Sequence, residues 1–113
     1  MATKNVKQAN KNMVSLEFKG FLSFLILHEL SKKQLCGDEL AERIGKRKGS
    51  KLTPGAIYPT LKRLRKLKLI TYRKKGRKKV YKLTDNGFNA LEMLYKDFSR
   101  YFYGLKKFIK RQN

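Results

Sequence analysis

The sequence predicts a mainly α fold with a small β-hairpin, an α+β arrangement, and three observations predict it. Several stretches carry apolar residues at helical spacing. Two short runs of period two bracket a charged turn with a glycine at its tip. Start signals, Thr53-Pro54 and Thr84-Asp85, stand where two of the helices should begin. At 113 residues the chain is one domain by length. It divides into an N-terminal arm over 1–12, a main unit over 13–83 and a C-terminal helix over 84–113.

Residues 1–12 carry Lys, Asn and Gln without periodicity and read as a flexible arm. Whether that arm is a solvated tail or reaches a partner stays open. From Met13 to Leu30 apolar residues are dense: Val14, Leu16, Phe18, Phe21, Leu22, Phe24, Leu25, Ile26, Leu27 and Leu30. A helix apolar nearly all round must be buried on more than one side, as between a core and a second subunit. His28 within it reads as an ordinary structural histidine, and Cys36 as a small packed hydrophobe.

Gly37 and Asp38 open a second helix, with Leu40, Ala41 and Ile44 as its inward stripe. Asp38, Glu39 and Glu42 gather near its start, where the helix dipole favours negative charge. Gly45 is expected to end it, leaving Lys46 to Lys51 as a basic connection. Thr53-Pro54-Gly55 then starts a third helix with Ile57, Leu61 and Leu64 facing inward. Pro59 leaves two alternatives: a kink, or a helix whose regular part begins at Pro59 with Tyr58 as its cap. Next, Ile70 and Tyr72 alternate with Thr71 and Arg73, and Tyr81 and Leu83 with Val80 and Lys82. Between these runs lies the turn around Gly76.

Thr84-Asp85-Asn86-Gly87 caps the last helix. Leu91, Leu94, Phe98, Tyr101, Leu105 and Phe108 follow it at spacings of three and four, widened by Tyr95, Phe102 and Ile109. This seam suits a dimer interface, with Gly104 as its weak spot. The alternative is a helix folded back on its own core. Helix, helix, turn, helix, basic hairpin, long helix is the order of a winged helix-turn-helix with a C-terminal dimerisation helix.

Charge supplies the functional argument. Lys and Arg number 29 against 8 Asp and Glu, a formal net charge of +21. Between Arg43 and Lys82 stand 17 Lys or Arg and no acid. Such a stretch calls for a polyanion, and double-stranded DNA is the partner it fits best. One histidine and one cysteine exclude an internal disulfide and a Cys/His metal site. Neither paired carboxylates, a Ser/His/Asp set nor a phosphate-cradling glycine loop appears, so no enzyme and no cofactor is expected. The most apolar run, Phe21 to Leu27, is short of the roughly 20 residues of a membrane span, and the expected location is cytoplasmic, on the nucleoid.

Recognition helices enter the major groove start first, which assigns Thr53, Gly55, Ala56 and Tyr58 to base edges. Burying Ile57, Leu61 and Leu64 turns Lys62, Arg63, Arg65 and Lys66 to the flanks and the open face, toward phosphates or a neighbouring base. In the wing, Arg73, Lys74, Lys75, Arg77, Lys78 and Lys79 can follow or enter the minor groove. Lys46, Arg47, Lys48 and Lys51 are assigned to backbone contact from the turn. Tyr72 and Tyr81 pack the hairpin onto the helices. The dimer interface is assigned to Leu91, Leu94, Phe98, Tyr101, Leu105 and Phe108.

The run Leu52-Thr53-Pro54-Gly55-Ala56-Ile57-Tyr58-Pro59-Thr60-Leu61-Lys62-Arg63-Leu64, then Leu69-Ile70, then Lys79 to Gly87, resembles the PadR family of transcriptional regulators. The resemblance spans roughly residues 16–110. It implies a prokaryotic homodimeric repressor, with the C-terminal helix exchanged at the dimer interface and a palindromic operator. It places Tyr58, Thr60, Lys62 and Arg63 in the recognition segment and Arg77 to Lys79 in the wing. Where that family often has an acid and a glycine before the Leu-Ile pair, this chain has Arg65-Lys66 and Lys68. The added basicity implies tighter, less selective binding. Some members hold flat aromatic compounds at the dimer interface; with no Trp here, Phe and Tyr would line such a site, and a small-molecule effector stays open. Two other readings remain: an architectural protein coating DNA with little sequence preference, and an RNA-binding ribonucleoprotein component.

Overall fold

Caps and tight turns set the boundaries of this chain more than propensity does. The computed structural model describes residues 20–49 and 52–109. The expected arm over 1–12, residues 13–19 of the expected first helix, and Lys51 lie outside them. Helix α1 covers 20–32 among the described residues. Leu22, Ile26, Leu27 and Leu30 are buried on it, a stripe at helical spacing. Strand β1 (Leu35–Cys36) leads directly into α2 (Gly37–Lys48).

Cys36 is the N-cap of α2, and its backbone N–H donates to Glu39 Oε1 at 3.0 Å. That bond holds the Glu39 carboxyl below its usual range. The expected stop at Gly45 is wrong, because α2 runs on to Lys48. An interior glycine costs a helix only about 1 kcal/mol and does not end it. What ends α2 is Gly49, whose φ of 82° is left-handed and whose N–H returns to Gly45 and Lys46 carbonyls.

Helix α3 (Pro54–Lys66) starts at Pro54 and continues through Pro59. Thr53 caps it through its carbonyl, which accepts from Ala56 and Ile57 N–H at 3.0 and 3.2 Å, and not through its hydroxyl. Pro59 is tolerated because the carbonyl it deprives is that of exposed Gly55, within reach of water. The helix closes as Lys68 N–H donates to Arg65 O (2.9 Å) and Leu69 N–H to Leu64 O (3.0 Å), the paired bonds of a Schellman ending. Lys68 takes the left-handed residue at φ 61°.

Strands β2 (Ile70–Lys75) and β3 (Lys78–Leu83) form the expected hairpin, joined by Gly76 and Arg77. Gly76 has φ 66°, as the first residue of a II′ turn requires. Tyr72 pairs with Tyr81 and Ile70 with Leu83, so these four share the face toward the core. The sheet has a third strand: β1 pairs antiparallel with β3 on its other edge, Leu35 opposite Tyr81.

Helix α4 (Asp85–Phe102) is capped by Thr84, whose Oγ1 accepts from Gly87 N–H at 3.0 Å and donates to the Lys68 carbonyl at 2.6 Å. A Cβ on Gly87 would sit 2.0 Å from the Leu69 carbonyl oxygen, so this joint admits only glycine. The seam is not continuous to the end, as had been expected. Tyr103–Leu105 forms a turn before the short α5 (Lys106–Ile109), with Gly104 at the break. Exposed residues there supply no packing to offset the glycine. Leu91, assigned to the dimer interface, is 3% exposed in the core of its own chain, and half-buried Leu94 packs against that core. The first turns of α4 therefore pack on the core that α1, α2, α3 and the sheet build.

Candidate nucleic-acid interface

Helix α3 presents three faces. Ile57, Thr60, Leu61 and Leu64 are buried at the i, i+3, i+4, i+7 spacing of an inward stripe. Thr60, expected among the recognition residues, is thus turned into the core, with its hydroxyl donating to the Ala56 carbonyl at 3.2 Å. At 3.6 residues per turn the opposite face holds Gly55, Pro59, Lys62 and Lys66, all exposed. Thr53 is exposed at the helix start.

The two flanks carry different partners. Toward α1, Ala56 is half-buried and Arg63 Nη2 donates to Ser23 Oγ at 2.7 Å. Toward the hairpin, the Arg65 guanidinium lies 4.7 Å from the centroid of Tyr72. Lys79 Nζ is 4.8 Å from the same ring. Tyr72 and Tyr81 are themselves 5.6 Å apart, and burial pushes the Tyr81 phenol above its ordinary range. The two tyrosines pack the hairpin on the core as expected, and Tyr72 also seats two cations.

The strand register sorts the wing charges. Lys74 and Lys79 stand directly opposite each other on the core-side face, and Lys75 opposes Lys78 on the other. Arg73 and Lys82 share that other face, and Arg77 occupies the tip. All seven are exposed. Like charges placed directly opposite destabilise a strand pair, by roughly 0.2–1 kcal/mol for each such pair. This hairpin has two such pairs at its end, where a polyanion would turn repulsion into attraction. Period-two alternation places Lys82 with Arg73 and adds it to the wing cations.

The turn group is rearranged. Lys46, Arg47 and Lys48 form the last turn of α2, where cations suit the helix dipole. Arg47 Nε meets Glu29 Oε2 at 2.9 Å, and Arg43 Nη1 meets Glu29 Oε1 at 3.5 Å. Glu29 is buried on α1. Burial alone would raise its carboxyl, but the Arg47 hydrogen bond and nearby Arg47 and Lys32 charges outweigh it and hold the group below its ordinary value. Arg47, expected on DNA, is exposed and also holds this acid. Lys46 makes an exposed pair with Glu42 at 3.7 Å, of little energetic weight.

On the far side of the core, α1 and α4 build an aromatic face. Phe98 lies 4.4 Å from Phe24 and 5.1 Å from Phe21, and Phe102 stacks on Phe98 at 5.6 Å. Tyr95 meets Phe24 edge-on, and its hydroxyl hydrogen-bonds His28 Nδ1. Burial, then Lys32 and Arg47, hold the His28 imidazole below its usual pKa. Phe98 of the expected interface is half-buried in this cluster, while Tyr101, Leu105 and Phe108 are exposed. Among the described residues no group of His, Cys, Asp and Glu could hold a metal, and no helix is long and apolar enough to cross a membrane.

Comparison with known proteins agrees with this geometry. The model of the transcriptional regulator PadR-like family matches residues 26–93. A PadR-like transcriptional regulator from Bacillus cereus is 31% identical with a TM-score of 0.72, covering 84% of this chain and 95% of that one. A PadR family transcription regulator from Clostridium difficile is 27% identical with a TM-score of 0.68, covering 79% and 98%. A PadR-like transcription factor from Bacteroides fragilis is 24% identical with a TM-score of 0.72, covering 86% and 98%. No curated protein gives a significant sequence match.

Proposed function

Because the chain belongs to the transcriptional regulator PadR-like family, we propose that it is a repressor acting as a homodimer on palindromic double-stranded DNA, on the nucleoid in the cytoplasm. The observation that carries the reading is the wing, where Lys74 opposes Lys79 and Lys75 opposes Lys78 around the cationic tip. A phosphate backbone relieves that opposition. On this reading residues 13–83 carry the DNA contacts. Thr53 at the start of α3 and Gly55, Tyr58, Lys62 and Lys66 on it lie in or beside the major groove, and Arg73 to Lys79 follow the adjacent backbone or minor groove. Residues 84–113 carry the second copy, through Phe98, Tyr101, Leu105 and Phe108 together with Phe21 and Phe102. A flat aromatic effector would meet phenylalanine and tyrosine rings on that same face.

The testing experiment is duplex affinity against salt. With six or more phosphates neutralised, affinity should fall about 10³-fold or more between roughly 50 and 200 mM salt. A flat plot would end the backbone-gripping reading. A second reading, a DNA-coating protein of low selectivity, is favoured by one observation: the outward face of α3 holds Gly55 and Pro59 beside two lysines and no bidentate base reader. Selection from random duplexes separates the two, a palindrome meaning regulator and no motif meaning coat.

A further inference from the structure

The cations of the interface would hold any duplex, so its selectivity needs another source. Asp38 is the acid that lines the cleft between α3 and the wing. It follows the first residue of α2, is exposed, and accepts the Tyr58 hydroxyl at Oδ1 over 3.2 Å. The backbone leaves room for this meeting. A Cβ on Gly37 would lie 2.8 Å from the Tyr58 ring, so any other residue there would push aside the ring as it crosses from α3 onto α2. A cleft of about 280 Å³ sets Asp38 and Tyr58 on one wall and Arg77, Lys78 and Lys79 on the other. Among the described residues the ion pairs belong to Glu29 and Glu42, so the remaining carboxylate lone pairs of Asp38 are not taken by a cation. Burial first, then Asp38, raises the Tyr58 phenol, which keeps its proton on the bond to Asp38.

We infer that Asp38 and Tyr58 form the sequence-discriminating element of this interface, an acceptor pair for the exocyclic amino group of cytosine or adenine at the major-groove edge. The hydroxyl proton of Tyr58 is spent on Asp38, so the pair offers only oxygen lone pairs to an incoming base. Guanine and thymine present acceptors in that groove and are repelled at this point, whereas cytosine N4 and adenine N6 donate. A carboxylate in a cationic surface lowers affinity for every duplex that does not satisfy it, which is selectivity by repulsion. The assignment rests on the duplex-binding reading above and specifies it.

The experiment compares the best duplex from a random selection with its scrambled form, at one salt concentration. Wild type, Asp38→Asn, Tyr58→Phe and the charge-matched Glu92→Gln at an exposed position of α4 are measured together, each with a thermal melt to check folding. Asp38→Asn should bind the scrambled duplex about fivefold tighter and the best duplex less than twofold tighter, a loss of about 0.5–1 kcal/mol in discrimination. Tyr58→Phe should lower the same ratio less. A selective wild type whose ratio survives Asp38→Asn, or an equal change in Glu92→Gln, overturns the Asp38 assignment alone. A wild type that binds all duplexes alike overturns the regulator reading and this assignment with it.

Discussion

On one side of the core, α3 and the hairpin hold cations against each other, Lys74 opposite Lys79 and Lys75 opposite Lys78. On the other, α1 and α4 stack rings, with Phe98 4.4 Å from Phe24 and Phe102 stacked on Phe98. Neither face is satisfied by the chain alone, but the two deficits differ physically. Crowded cations gain by meeting phosphates, and salt weakens that gain. Exposed rings gain roughly 25 cal/mol for each Å² of apolar surface removed from water, and salt leaves that gain largely intact. The two proposed partners should therefore separate on a salt titration, with duplex lost first and the second copy retained.

The joint between the faces should give the largest effect. The Leu69 carbonyl accepts the Thr84 N–H at 3.1 Å, and Gly87 presses against that same carbonyl. Gly87→Ala must push apart the end of α3, the base of the wing and the start of α4. Overpacking of this kind costs about 3 kcal/mol or more when backbone has to move. Denaturant unfolding should show that loss, and both duplex binding and self-association should fall with it. A variant with an unchanged midpoint would mean that the two faces are not held together at this point.

Separating the faces comes next. Phe102 stacks on Phe98 at the edge of the ring cluster, and both it and Phe108 of α5 are exposed. Phe102→Lys with Phe108→Lys should halve the mass seen in sedimentation. The thermal midpoint should move little, and each protomer should keep its salt slope on a half-site duplex. An unchanged mass would remove the second copy from the aromatic face.

How far the sequence discloses these faces depends on the range of the signal. Local chemistry was legible: the Thr84 cap, the Gly76 turn, and the stripe of Ile57, Leu61 and Leu64. The acid-free stretch was legible as well, because counting charges needs no geometry. Long-range pairings were not. Glu29 claims Arg47 across 18 positions, and nothing in a run of lysines and arginines distinguishes the one that pairs with a buried acid. Thr60 is hidden for a related reason: its hydroxyl looks available until the stripe is extended by one place at i+3. Strand β1 is two residues long, too short for any period, and exists because Leu35 and Cys36 complete the edge of β3. Asp38 was read as a helix-start acid favoured by the dipole. Its meeting with Tyr58 depends on how two helices cross.

The smallest expected effect asks where the basic face ends. Lys68 sits at φ 61° in the ending of α3, a conformation that costs a residue with a Cβ roughly 1 kcal/mol and costs glycine nothing. A lysine there gives up stability and places a cation between the recognition helix and the wing. Lys68→Gly should raise unfolding stability by about 1 kcal/mol, whereas Lys68→Ala, equally strained, should leave it nearly unchanged. Both remove the same charge, so both should lower the duplex salt slope by about one contact. Equal midpoints for the two variants would show that the left-handed residue is not strained. A slope that stays put in both would leave a gap in the basic face between Lys66 and the wing, and would leave the lysine at 68 with a cost and no contact to offset it.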